Sequence, residues 1–127
     1  MSTILSSCST TKTITGIIEG ENLKIDLKEF EEEKKNKIEY RKYLVVSHES
    51  LQFPICIYRF KESNFSALYL KCTHQGAELQ VFGDQISCPA HGSEFNNMGI
   101  VQNGPASTNL RTFPIQINNG QLLISLK

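Results

Sequence analysis

The 127-residue chain sets 13 Lys and Arg against 13 Asp and Glu, is 39% hydrophobic and 9% aromatic, and contains no Trp. That length suits one domain with a modest core, and zero formal net charge argues against nucleic acid as a partner, since phosphate binding relies on a concentrated basic surface. No run approaches the ~18–20 apolar residues that cross a bilayer.

Residues 1–12 read as a flexible, Ser/Thr-rich tail. Within it, Leu5-Ser6-Ser7-Cys8 resembles a bacterial lipobox, in which lipid is attached to the cysteine. Only seven residues precede Cys8, with neither a basic start nor a long apolar stretch. Two readings stay open: a shortened lipoprotein precursor tethered to a membrane by lipid at Cys8, or a chance match. Further on, Leu23, Ile25 and Leu27 alternate with polar residues, the period of a half-buried strand. Glu29–Lys42 is rich in Glu and Lys, but Phe30, Ile38 and Tyr40 share no helical face, so a solvated charged connection is expected.

Tyr43–Val46, Phe53–Tyr58 and Ala67–Leu70 are β-branched or aromatic runs, and Cys56 inside the second reads as a small buried hydrophobe. Phe82-Gly83-Asp84-Gln85, between Val81 and Ile86, predicts a tight hairpin. Phe113, Ile115 and Ile117 alternate, Asn118-Asn119-Gly120 turns the chain, and Leu122, Ile124 and Leu126 return it. Many short strands with frequent turns predict an all-β fold, a small antiparallel barrel or sandwich.

The chemistry concentrates in two similar stretches, Cys72-Thr73-His74-Gln75-Gly76-Ala77 and Cys88-Pro89-Ala90-His91-Gly92-Ser93. Each offers one thiolate and one imidazole, and the intervening hairpin brings the halves side by side. Gly76 and Gly92 supply backbone freedom just after each histidine, where a loop must curl. Two Cys and two His suit either a tetrahedral zinc or a two-iron cluster with sulfur on one iron and nitrogen on the other. The Cys-x-His spacing is unusual for zinc modules, which places the cluster first and a zinc-stabilised structural binding module second. His48 in a polar turn reads as a surface residue, and Arg111 as a solvated strand-edge charge. No nucleophile–base pair, phosphate loop or paired carboxylates appear, so no catalytic residue is assigned.

The sequence resembles the Rieske-type [2Fe–2S] proteins, whose pattern is Cys-x-His, a hairpin, then Cys-x-x-His with a glycine after the second histidine. Cys72, His74, Cys88, His91 and Gly92 meet it, and Asn103-Gly104-Pro105-Ala106 is similar to the Gly-Pro turn that covers the cluster. The close likeness runs from about residue 70 to 127. It implies a Rieske domain over 13–127, a cluster-binding subdomain at about 70–106, and one [2Fe–2S] cluster per subunit. Cys72, His74, Cys88 and His91 would be its ligands, with Ser93, Gly92, Gly76 and Pro105 around them.

Two thiolates neutralise a diferric core of charge +2 bridged by two sulfides, so reduction is easier than in an all-cysteine cluster and the potential is higher. High-potential relatives have a Ser and a Tyr donating to cluster sulfur and a disulfide between the two loops. Ser93 matches the Ser, Phe95 replaces the Tyr, and Ala77 and Ala90 stand where the disulfide would be. An intermediate potential is therefore expected.

The implied function is one-electron transfer without an enzymatic activity of its own. The protein would be a carrier or small redox subunit serving a respiratory oxidoreductase through a redox partner protein. Its place would be the periplasmic side of a bacterial membrane. The alternative is a cytoplasmic Rieske ferredoxin feeding an oxygenase.

Overall fold

A computed structural model describes residues 11–127; Cys8 and the rest of residues 1–10 lie outside the described residues. The chain's most continuous apolar runs make its middle layer. Strands β6 (Tyr43–Ser47), β7 (Ile55–Lys61) and β8 (Asn64–Tyr69) are antiparallel neighbours, with β1 (Thr13–Thr15) at the edge beside β6. Side chains alternate across a strand, so this sheet presents two apolar faces. Leu44, Val46, Ile55, Ile57 and Ala67 go to one core; Val45, Cys56, Tyr58 and Leu68 go to the other.

The first face is covered by a four-stranded sheet. It consists of β13 (Ile115–Asn118), β14 (Gln121–Ser125), β3 (Asn22–Asp26) and β2 (Ile17–Glu19), in that order. Leu23, Ile25, Leu122 and Ile124 fill the space between the layers, joined by Phe30 and Phe113. The second face is covered by β9 (Gln80–Phe82), β10 (Gln85–Ser87), β11 (Glu94–Asn96) and β12 (Val101–Asn103), each only three residues long. Ile86 and Phe95 anchor them, and Cys72 and Cys88 belong to the same core.

The predicted all-β fold is thus present as three stacked layers. Both predicted hairpins form, β9–β10 and β13–β14, the latter turning at Asn119 (φ 50°) and Gly120 (φ 76°). One pairing departs from the antiparallel expectation: β1 runs parallel to β6. Parallel neighbours need a long crossover, and residues 16–42 supply it by building β2 and β3 on the way.

The charged stretch is a correction. Residues 31–40 are largely solvated, as expected, but the stretch is structured: Leu27–Phe30 makes a 3₁₀ turn and drops Phe30 fully into the core. Then β4 (Glu31–Lys34) and β5 (Lys37–Tyr40) form a hairpin. Its two-residue turn puts Lys35 (φ 49°) and Asn36 (φ 66°) in the left-handed region, the geometry that matches strand twist. Like charges oppose each other at Glu32–Glu39 and Lys34–Lys37. Lys34 and Arg41 bridge to Glu32, at 3.0 and 2.8 Å, and offset that repulsion. The guanidinium of Arg59 lies 4.6 Å from the Tyr40 ring centre and 5.5 Å from that of Phe65, tying the hairpin to the middle sheet.

The two ends of the molecule differ. At one, the Thr11 and Tyr43 hydroxyls are 3.0 Å apart, and the Tyr58 hydroxyl donates to Gly83 at the tip of β9–β10 (2.6 Å). At the other, β8 runs out into Cys72 and β10 into Cys88.

Candidate functional site

The two loops beyond β8 and β10 share one backbone design. In the first, the N–H of Gly76 donates to the carbonyl of Cys72 (2.8 Å) and that of Cys72 to Ala77 (2.8 Å). In the second, Gly92 donates to Cys88 (2.9 Å) and Cys88 to Ser93 (2.8 Å). Gly76 (φ 72°) and Gly92 (φ 81°) are both left-handed, which closes each turn without the penalty a side chain would bring. The loops differ in where the imidazole sits: two residues after the cysteine in one, three in the other.

The sulfurs end up inside and the imidazoles outside. Cys72 and Cys88 are 2% and 3% exposed, whereas His74 and His91 are exposed. The two rings face each other nearly perpendicularly (89°), with centroids 5.6 Å apart. Burial opposes ionisation of Cys72. The backbone N–H groups of His74 and Gln75, the Cys88 thiol and the Ser93 hydroxyl outweigh it and hold that thiol below its ordinary pKa. Ser93 is the one fully buried polar side chain among the described residues, and its Oγ also accepts the Ala106 N–H (3.0 Å).

A third loop, running through Gly104 and Pro105, closes the site. It is attached to the second loop by the Ser93–Ala106 bond and to the first by the Thr73 hydroxyl, which donates to the Thr108 carbonyl (2.6 Å). The peptide between Gly104 and Pro105 is cis. Thr73 and Thr108 were not expected as site residues. A hydroxyl placed between the Cys and the His of the first loop was the available signal, but its partner lies 35 residues away.

The donor set fits a binuclear iron–sulfur group. Two imidazoles bound at about 2.0–2.1 Å to one metal atom would hold their ring centres roughly 5 Å apart, close to the separation seen. The four donors stand as a buried sulfur pair and an exposed, facing nitrogen pair.

The remaining predicted residues fall elsewhere. Cys56 is a buried free thiol, kept protonated by that burial. The Nδ1 of His48 accepts the Ser50 N–H in its turn. Arg111 donates to the Leu126 carbonyl and stacks 4.5 Å from the Phe113 ring centre. Among the described residues, no helix is long and apolar enough to cross a membrane.

Comparison with known proteins agrees with this arrangement. The family model for the Rieske [2Fe-2S] domain matches residues 28–114. The ferredoxin CarAc of Metapseudomonas resinovorans is 32% identical over 76 residues, 57% of this chain and 70% of its own. The cytochrome b6-f complex iron-sulfur subunit of Chlorobaculum tepidum is 28% identical over 65 residues, 50% of this chain and 36% of its own. The chain thus matches about a third of the length of that subunit and of its cyanobacterial counterparts. Among solved structures, the plasma membrane Rieske protein PetC3 of Synechocystis PCC 6803 superposes with a TM-score of 0.56 at 26% identity. That alignment covers 66% of this chain and 86% of PetC3. The chain therefore belongs to the Rieske [2Fe–2S] domain family, binds one [2Fe–2S] cluster per subunit and transfers electrons.

Proposed function

We propose that this protein is a one-electron carrier or small redox subunit of a respiratory oxidoreductase, with Cys72 and Cys88 on the inner iron and His74 and His91 on the outer. The observation that carries this reading is the pair of twin loops, with two buried thiols beneath two exposed, facing imidazoles. When bound, the cluster takes up and releases one electron. The chain's own groups tune and expose it. Buried thiolates keep water from the sulfur side, and the Ser93 hydroxyl donates toward Cys72 sulfur. Phe95, fully buried, contributes no hydroxyl. One charge-assisted donor in place of two supports a potential inside the roughly −150 to +300 mV range of mixed-ligand clusters, away from either extreme.

Similarity to cytochrome b6-f complex subunits and to a plasma membrane Rieske protein supports a place in a membrane-associated electron-transfer complex; on this reading the domain sits on the outer side of a bacterial membrane. Thr11 leaves the domain beside Tyr43, at the end away from the imidazoles. A lipid on Cys8 would then hold the domain by that end. The second reading, a ferredoxin donating to an oxygenase, is favoured by the fuller coverage of a ferredoxin's own length.

Iron and acid-labile sulfide analysis with electron paramagnetic resonance of the reduced protein tests the ligand assignment. Two irons, two sulfides and a paramagnetic signal that appears on one-electron reduction support it. Colourless, zinc-loaded protein overturns it. A redox titration separates the two placements: a potential at the low extreme, about −150 mV, would favour the ferredoxin. Intact mass of protein extracted from native membranes tests lipid at Cys8.

A further inference from the structure

We infer that the histidine-bearing face recognises a redox protein whose contact surface is itself uncharged, so that docking relies on shape and hydrogen bonds and is not steered by charge. This rests on the assignment of His74 and His91 as the exposed donors. Globular chains carry roughly 25% charged residues, and this chain is 20% charged overall. None of the three loops around the imidazoles follows that pattern. Residues 72–77, 88–93 and 104–109 contain no Asp, Glu, Lys or Arg. Thr73, Gln75, Ala90, Gly104, Pro105, Ser107 and Thr108 are all exposed there, so the gap in charge is a property of the surface and not of a buried segment.

The nearest charges do not restore a field. Lys71 and Glu78 face each other across a β-bridge at the base of the first loop, with opposite signs. The Lys71 stem runs along Gly76. Arg111 is turned toward Leu126 and Phe113, and Glu94 is held by Gln85 and Asn103. The chain's dense charge lies instead on the β4–β5 hairpin, where Glu31–Lys34 and Lys37 to Arg41 carry the ion pairs. A partner with a charged contact face would have to desolvate those charges against the loops without compensation. An uncharged face would not, and its encounter rate would sit near the unsteered ~10⁵–10⁶ M⁻¹s⁻¹.

The test measures the field at this face directly. Solvent relaxation enhancements of the Gly104, Ser107 and Thr108 amides are recorded on the oxidised holoprotein with a cationic and an anionic nitroxide of matched size. The cation-to-anion ratio should stay within about threefold of unity, since a charged patch generates several kT; a larger bias of either sign overturns the inference. In parallel, the reduced protein gives one electron to hexacyanoferrate(III) or to tris(phenanthroline)cobalt(III). Both rate constants should change less than about threefold between low and high salt; a larger change for either oxidant overturns it.

Ala90→Lys and Gln75→Glu should each create a salt dependence, of opposite sign for the two oxidants. If neither variant moves the rates, electrons leave elsewhere and the proposal fails. Cluster content, measured first, tells the two failures apart: protein without iron fails the ligand assignment, whereas a biased nitroxide ratio on cluster-loaded protein fails this surface.

Discussion

The two cores on either side of the middle sheet solve the same packing problem with different means. On the β3–β14 side, five-residue strands pair along their whole length, and the core is aliphatic apart from Phe30 and Phe113. On the other side four strands of three residues each cover the sheet, and three of the buried members are thiols, Cys56, Cys72 and Cys88. The first region is held by apolar area. The second relies on short strands braced by loop hydrogen bonds, and it carries the proposed cluster ligands.

Four substitutions would break or sharpen that contrast. Cys88→Ser should abolish cluster binding. By hydrogen exchange it should unprotect β9–β12 while leaving β3, β13 and β14 protected; loss of protection throughout would show that the two cores are not separable. Leu122→Ala, at a fully buried aliphatic site, should cost about 2–5 kcal/mol of stability in denaturant unfolding. The electron paramagnetic resonance signal of the folded fraction should be unchanged. Ser93→Ala removes the acceptor of the Ala106 N–H and a donor toward Cys72. A redox titration should read a drop of several tens of millivolts, alongside about 1–3 kcal/mol lost to the unpaired buried N–H. Arg59→Ala takes the cation from between Tyr40 and Phe65. Its cost should be about 0.5–1 kcal/mol, read as faster amide exchange confined to β4 and β5, with the potential unmoved.

Much of this was legible in the sequence, and the gaps have physical causes. The β13–β14 hairpin was legible because alternation and an Asn-Gly turn agree. The paired Cys/His stretches announced a site because few other chemistries require them at that spacing. The β4–β5 hairpin was hidden: its strands are nearly all charged, its turn is Lys35-Asn36 without a glycine, and its attachment comes from Arg59, distant in sequence. The parallel place of β1 was equally hidden, since three residues carry no mark of which neighbour they will choose. The Thr73–Thr108 brace depends on a loop arriving from far along the chain, which no local pattern encodes.

The twin loops carry one more implication. Because their turns are closed by the same pair of backbone bonds, the asymmetry between them resides in a single rung of the ladder rather than in its frame. Exchanging the identities of His74 and Gln75 would yield a positional isomer, equal in mass, charge and length. It would keep the same scaffold while presenting one of its nitrogen donors from the wrong step.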